Sequence, residues 1–353
     1  MDGRTENRAS VAGTEVVMPH KGGPEVLRVG RRGPLAPTSG QAVVRVEAAG
    51  VSFAEVGMLK GNYPMQPKFP FVPGYDLAGI VEGVGEGVDR EMVGRRVAAL
   101  TEKGAWADRV ALDASKLVTV PEGLDPADAV AVVTNGVTAW QMVHRAAKVR
   151  AGQTVLVHGA SGGVGTLLVQ FARLAGAEVI GTASAPKHEH VRALGAVPID
   201  YKSEDVPMRV REISPGGVDA VFDNVGGPGL VDSWRMLRRG GTLVSYGSAS
   251  TVNGTGHRFT PLIKIFARVL LWNAVPNGKR ASFYYVQRWP KLFGEDLATV
   301  LSLLAEGKID AHVTRRMPLE DAAAALGLLV SGKATGKVVL VPGARPSNAD
   351  IRA

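Results

Sequence analysis

The stretch Thr154-Val-Leu-Val-His-Gly-Ala-Ser-Gly-Gly-Val-Gly-Thr-Leu-Leu-Val-Gln-Phe-Ala-Arg173 decides the fold. It opens as a short apolar, β-branched run, turns glycine-rich, and continues with apolar residues at helical spacing. A buried strand that passes through such a turn directly into an amphipathic helix is the frame of a dinucleotide site. Gly162 lets the backbone approach a pyrophosphate, Gly165 lets the helix pack on the strand, and the helix N-terminus offers free N–H groups to an anion. Ala160 replaces the first glycine of the usual pattern, so Ala160, Ser161, Gly162, Gly163, Val164 and Gly165 read A-x-G-x-x-G. The competing reading is a glycine-rich strand-to-helix turn that binds nothing.

The end of the next strand chooses the cofactor. NAD sites place an acidic residue about 20 positions on to grip the ribose 2′-hydroxyl. Here Val179-Ile-Gly-Thr-Ala183-Ser184-Ala-Pro-Lys187 has Ala183 at that place. Ser184 and Lys187 can donate to a 2′-phosphate, and no carboxylate repels it, so NADPH is expected over NADH. Lys187 alone would read as decoration on an exposed helix.

Working outward, helix-length segments separate short strands at Thr154–His158, Glu178–Thr182, Val197–Asp200, Asp219–Asp223 and Thr242–Tyr246, the pattern of βαβ units on a parallel sheet. The first third reads differently. Glu15–Met18, Glu25–Val29, Gln41–Ala48, Leu77–Val84, Arg95–Leu100 and Trp106–Leu112 are strand candidates separated by glycine and proline turns. A strand at Ser282–Val286, a helix over Asp296–Glu306 and a strand at Lys337–Val341 close the chain. The fold class is therefore α/β, a Rossmann doubly wound parallel sheet beside a β-rich domain.

The chain has 353 residues, no cysteine, 45% hydrophobic and 21% charged residues, the balance of an ordinary globular protein. Without cysteine there is no disulfide, no thiolate nucleophile and no cysteine-ligated metal. No targeting signal stands in residues 1–12, and the apolar run Leu262–Val275 is broken by Lys264 and Arg268, short of the roughly 18 to 20 residues of a membrane span. A cytoplasmic protein with no transmembrane segment is expected. Of the +8 net charge, ten cations lie in residues 233–294, which contain no acid, so the remainder is 31 Lys+Arg against 33 Asp+Glu. That segment also carries Trp272, Phe283, Tyr284, Tyr285 and Trp289.

Several motifs in order, Ala49-Gly-Val51-Ser52, Gly61-Asn-Tyr63-Pro64, Val72-Pro-Gly-Tyr75-Asp76, Asn135-Gly136-Val-Thr138, the Ala160–Gly165 turn, Phe222-Asp-Asn224-Val-Gly-Gly227 and Gly336-Lys337-Val-Val-Leu, make the chain resemble the zinc-free quinone oxidoreductase branch of the medium-chain dehydrogenase/reductase superfamily. The resemblance implies a GroES-like catalytic domain over residues 1–132, a Rossmann NADPH-binding domain over 133–287 and a return to the catalytic domain over 288–353. It implies that Ser184, Lys187 and Tyr201 surround the 2′-phosphate, that Asn224, Gly247 and Ser248 follow the ribose and nicotinamide, and that Thr138 lies near the ring. Lys337 falls in a cofactor-proximal position of the family, or is a surface lysine. It also implies a homodimer through an edge strand near Ser282–Val286.

Zinc-dependent relatives place cysteine where this chain has Ser52, and histidine followed by glutamate where it has Tyr75-Asp76, so no metal site is expected. His188 and His190 are read as solvated, and His158 as a hydrogen-bonded core residue. The implied activity is hydride transfer from NADPH to a quinone or an α,β-unsaturated carbonyl, a small-molecule substrate. Tyr63 and Ser52 are the catalytic candidates: a phenol that protonates the enolate or merely packs by the ring, and a hydroxyl that bonds the substrate oxygen. Enoyl thioester reduction is the alternative. A cofactor-loaded RNA- or membrane-associated binding protein is the second, and nucleic acid is disfavoured because the basic segment overlaps the cofactor domain.

Overall fold

The structure, a computed structural model, describes residues 13–247 and 260–344. They form two compact units, one drawn from residues 13–60, 66–133 and 313–344, the other from 61–65 and the described part of 134–312. Ser248 lies outside the described residues.

The first unit opens with the antiparallel strands β1 (Gly13–Val17) and β2 (Arg28–Arg32). The strand expected over Glu25–Val29 begins instead as a 3-10 turn over Pro24–Val26, since Pro24 has no N–H to offer a ladder. Strand β3 (Gln41–Val51) is buried along most of its length and leads into helix α1 (Phe53–Leu59). Strands β4 (Asp76–Val84), β5 (Arg96–Leu100), β6 (Arg109–Asp113) and β7 (Val118–Thr119) follow, with β4 and β6 both antiparallel to β3. Trp106, fully buried, donates its indole N–H to Gly50 O at 3.0 Å.

Helix α2 (Pro126–Gln141) carries the chain into the second unit. There the elements alternate: β8 (Thr154–Val157), α3 (Gly163–Leu174), β9 (Glu178–Ala183), α4 (His188–Ala193), β10 (Val197–Asp200), α5 (Val206–Ile213), β11 (Val218–Asp223), α6 (Gly229–Met236), β12 (Leu237–Ser245), α7 (Thr260–Ala274), β13 (Arg280–Phe283) and α8 (Phe293–Ala305). The sheet runs β10-β9-β8-β11-β12-β13 with every pairing parallel, the doubly wound Rossmann order, which reverses between β8 and β11. One core packs Leu156, Ile180, Val221 and Leu243 from the strands against Val210, Leu230 and Ile265 from the helices.

On α7, Ile265 is buried and Val269 packs beside the core, while Ile263, Phe266 and Leu270 are exposed. Helix α7 covers the sheet with a narrow face. Beside the segment expected to pair across a dimer, the Asn273 amide donates to Ala281 O at 2.8 Å and accepts from Ala281 N at 2.9 Å, and Arg288 donates to Phe283 O. The outer edge of β13 thus offers a second copy no free backbone pair at Ala281.

The chain returns through β14 (Val313–Pro318), α9 (Ala322–Val330) and β15 (Lys337–Val341), and β15 slots between β14 and β3 to give β14-β15-β3-β4-β5-β7, with β6 also on β3. The return falls at residue 313, not 288, because residues 288–312 are tied into the second unit. Asp296, buried on α8, accepts from Gln141 Nε2 at 2.6 Å, Trp140 Nε1 at 3.2 Å and the Arg145 guanidinium, and Gln170 bonds both backbone groups of Asp310. Among the described residues no helix is long and apolar enough to cross a membrane.

Removing the Asp296 carboxylate leaves three donor side chains without their shared acceptor. Asp296→Ala is expected to cost about 3 kcal/mol in denaturant unfolding, the low end for breaking a buried pair because Arg145 keeps contact with water; an unchanged midpoint would contradict the assigned anchoring role.

Candidate functional site

The glycine-rich turn sits at the carboxyl end of β8, where the sheet order reverses. Gly162 is the N-cap of α3 and no side chain caps it, which leaves the first amides of a twelve-residue helix for an anion. A Cβ on Gly165 would lie 2.1 Å from Gly159 O, so helix and strand approach as closely as backbone allows. At Gly162 the nearest atom to such a Cβ is Gly159 O at 3.4 Å, so that glycine is set by openness to a ligand rather than by packing. Ala160 is accommodated from across the sheet: a Cβ on Gly181 of β9 would come 2.7 Å from the Ala160 methyl, so the missing glycine of the turn reappears on the neighbouring strand.

The turn is held from beneath. Ala160 N–H donates to Thr182 O at 3.0 Å and Gly159 N–H to Thr182 Oγ1 at 3.1 Å. His158, buried, bonds Thr182 Oγ1 through Nδ1 and Ser233 Oγ through Nε2, and burial keeps its pKa below the usual range. Ser233 donates to Asp223 Oδ2 at 2.6 Å, and Asp223 Oδ1 accepts from the N–H groups of Val225 and Gly226 at 2.8 Å. This aspartate shapes the turn that presents Asn224, whose amide lies 2.9 Å from where a Gly159 Cβ would be; Gly247 is equally close to Asn224 O. Ala160–Gly165, Asn224 and Gly247 therefore converge.

Beside them, the parallel register sets Asp200 of β10 opposite Ala183 of β9, so Tyr201, Lys202, Ser184 and Lys187 gather at the carboxyl ends of two adjacent strands. The Lys187 ammonium is held below its ordinary pKa, first by burial and then by the charge of Lys202. Asp200 stands beside them, its Oδ1 accepting from Lys202 N–H at 3.1 Å, so the strand ends carry two lysines and one carboxylate. Lys202 is a residue sequence reasoning missed; only its position just after Tyr201 could have pointed to it. Asp223 was missed too, although Asp-Asn-Val-Gly-Gly is an Asx-turn sequence.

His188 and His190 are half-buried rather than fully solvated. His188 Nε2 lies 3.1 Å from Ala183 O, and His190 Nε2 lies 3.1 Å from Thr166 Oγ1 with its ring stacked on His312, because the short helix α4 packs against α3. Burial and the neighbouring His312 lower the His190 pKa to about 4. On α2, Thr138 bonds the hydroxyl of Tyr284, which donates to Gln141 Oε1 at 2.9 Å and is thereby joined to the Asp296 network; burial raises the Tyr284 pKa.

The remaining expected residues fall in different units. Tyr63, on the 61–65 segment, belongs to the nucleotide unit. Ser52 caps α1 in the other unit, and so does Lys337, which is no surface lysine: its Nζ is buried 3.4 Å from Asp76 Oδ2. Much of the basic segment is spent on structure. Arg238 pairs with Asp219, Arg235 with Asp232, Arg268 donates to Gly227 O, and Lys279 lies over the Trp234 ring, itself stacked on Trp272. Among the described residues no three histidine, aspartate or glutamate side chains converge on a metal position.

Residues 38–122 match the alcohol dehydrogenase GroES-like domain and residues 194–340 the zinc-binding dehydrogenase domain. The chain is 34% identical over 323 residues to the human synaptic vesicle membrane protein VAT-1 homolog, covering 89% of this chain and 82% of that protein. It superposes on a Pseudomonas syringae quinone oxidoreductase with a TM-score of 0.82 at 32% identity, over 94% of this chain and all of the other. For the Escherichia coli quinone oxidoreductase in complex with NADPH, the TM-score is 0.82 at 29% identity, over 93% of this chain and all of the other.

The two glycines of the turn separate by experiment. Gly165→Ala is expected to destabilise the chain by about 2 kcal/mol, as overpacking does, and to weaken dinucleotide binding in calorimetry. Gly162→Ala leaves the thermal midpoint where it is; equal midpoints for both variants would refute the packing assignment.

Proposed function

Since the chain belongs to the quinone oxidoreductase branch of the medium-chain dehydrogenase/reductase superfamily, we propose that it is an NADPH-dependent reductase that passes a hydride to a quinone or an α,β-unsaturated carbonyl without zinc. The observation that carries the cofactor choice is that Ser184, Lys187, Tyr201 and Lys202 gather beside a neutral Ala183 at the carboxyl ends of β9 and β10. These donors suit a 2′-phosphate, and no carboxylate stands at position 183 to grip a bare 2′-hydroxyl.

The residues present fit the dinucleotide. The Ser161–Gly165 amides and the α3 N-terminus bind the pyrophosphate, Asn224 and Gly247 flank the ribose, and Thr138, oriented by Tyr284, faces the ring. When bound, NADPH supplies the hydride. The protein's part is to orient the reactants, exclude water and supply a proton, for which Tyr63 and Ser52 are the candidates. Zinc does not fit: there is no cysteine, Ser52 Oγ is engaged by Glu55, and Tyr75 and Asp76 stand where relatives carry histidine and glutamate.

A panel of naphthoquinones, enones and crotonyl thioesters, each with NADPH and NADH, tests the reading. Quinone or enone turnover with NADPH is expected, and Lys187→Ala should cut the NADPH preference by about tenfold or more, the worth of one charge-assisted hydrogen bond. Thioester turnover alone would favour enoyl thioester reduction, and an unchanged preference would remove Lys187 from the phosphate site.

A homodimer is also proposed, through the edge near Ser282–Val286 extended by the exposed row Ile263, Phe266 and Leu270 on α7. Light scattering should give a dimer that Leu270→Glu converts to monomer. A monomeric wild type, or a dimer that ignores the substitution, would overturn this contact.

A further inference from the structure

We infer that Glu55 stores the proton consumed in the reduction and that the Ser52 hydroxyl delivers it. The inference rests on the reductase reading and names the proton source which that reading leaves between Tyr63 and Ser52.

Ser52 and Glu55 form a capping box at the start of α1. Ser52 Oγ accepts from Ala54 N at 3.3 Å, and Ser52 N–H donates to Glu55 Oε2 at 2.8 Å. A cap needs only one carboxylate oxygen at the edge of a helix. Here the entire side chain is buried, Oε2 also lies 2.5 Å from Ser52 Oγ, and Oε1, equally buried, has no hydrogen-bond partner. Capping therefore accounts for Oε2 and leaves the burial of Oε1 unexplained.

A buried oxygen without a protein donor penalises the carboxylate more than the carboxylic acid. Burial accordingly raises the Glu55 pKa to about 7. The Ser52 contact opposes the shift, the charge of Asp76 adds to it and that of Lys337 opposes it. These charged neighbours come from β4 and β15, and they pair with each other, so Lys337 is no counter-ion of Glu55 alone. The cluster has no slack: a Cβ on Gly50 would meet Asp76 Oδ1 at 2.0 Å and Lys337 Nζ at 2.6 Å. Ser52 is only half-buried, and its hydroxyl, which donates to Glu55 Oε2 in the resting arrangement, is the polar group next to the enclosed carboxyl.

In the step, the electron-poor carbon of the substrate accepts the hydride and the π-electron pair moves onto the substrate oxygen. The Ser52 Oγ–H bond breaks as the new O–H bond forms on that oxygen, and the Glu55 carboxyl proton passes to Oγ. Ser52 ends as a hydroxyl and Glu55 as a carboxylate, which takes a proton from water after the product leaves. One hydride and one proton complete the two-electron reduction.

The rate then needs the acid form of Glu55, which is filled below its pKa and lost above it. With NADPH and a naphthoquinone or enone, wild-type kcat is expected to fall about tenfold per pH unit above 7. Glu55→Gln and Ser52→Ala should each lower kcat by about a hundredfold, the usual worth of a general acid, and abolish that limb with NADPH affinity unchanged. Infrared spectra of the NADPH-bound wild type should show a protonated carboxyl band that disappears as pH rises through 7, and Glu55→Gln should lack it. A purely capping Glu55 would instead leave both kcat and the pH profile of Glu55→Gln alone, since a glutamine oxygen caps the Ser52 N–H as well, and that result overturns the inference. So does a wild-type rate flat from pH 5 to 9, or a missing carboxyl band; both are read on the wild type and need no variant to fold. Turnover with a flat profile sinks this proposal alone, whereas no turnover of any quinone, enone or thioester sinks the reductase reading with it.

Discussion

The nucleotide unit depends on one close approach, that of the Gly165 Cα to the Gly159 carbonyl, which no side chain could share. It presses α3 onto β8 and so aims the helix's uncapped amides at the end of the sheet. Other features accommodate that contact. Gly181 recedes to admit the Ala160 methyl, Thr182 receives the two N–H groups of the turn, and the chain His158–Ser233–Asp223 braces the turn on which Asn224 stands. A dinucleotide site is, in this sense, the surface expression of a packing constraint several residues deep.

The buried carboxylates divide into two kinds. Asp223 and Asp296 are saturated: the first by two backbone N–H groups and a serine, the second by indole, amide and guanidinium donors. Saturated carboxylates serve to tie distant segments together. Glu55 has the same burial but only one furnished oxygen. An incompletely satisfied acid is a poor structural element and a good chemical one, because its two protonation states lie close in free energy at neutral pH.

What the sequence disclosed was whatever depends on neighbours along the chain. The strand, glycine turn and helix over residues 154–173 are local, and so is the neutral Ala183 with Lys187 four residues on. Long-range placement was illegible. Nothing local says that Asn273 will satisfy Ala281, that Asp296 will draw residues 288–312 into the nucleotide unit, or that Lys337 will be buried on Asp76. Helix α7 shows the same limit, since periodicity identifies an apolar stripe but not what covers it, and here Ile265 is covered while Ile263, Phe266 and Leu270 are not. His190 misled for the converse reason: its exposure was inferred from its own short helix, whereas its environment comes from Thr166 and His312.

The position of β15 in its sheet has a consequence for biosynthesis. This strand follows the nucleotide unit in the chain yet lies between β14 and β3, and β3 precedes that unit. The nucleotide unit is essentially contiguous and can fold on the ribosome before β15 exists, while the Ala49–Val51 end of β3, beyond the residues that β6 pairs, waits open. An unpaired edge held that long is a template for wrong partners. Because β15 closes it, truncations within β15 should expose nascent chains to aggregation and chaperone capture out of proportion to the few residues removed.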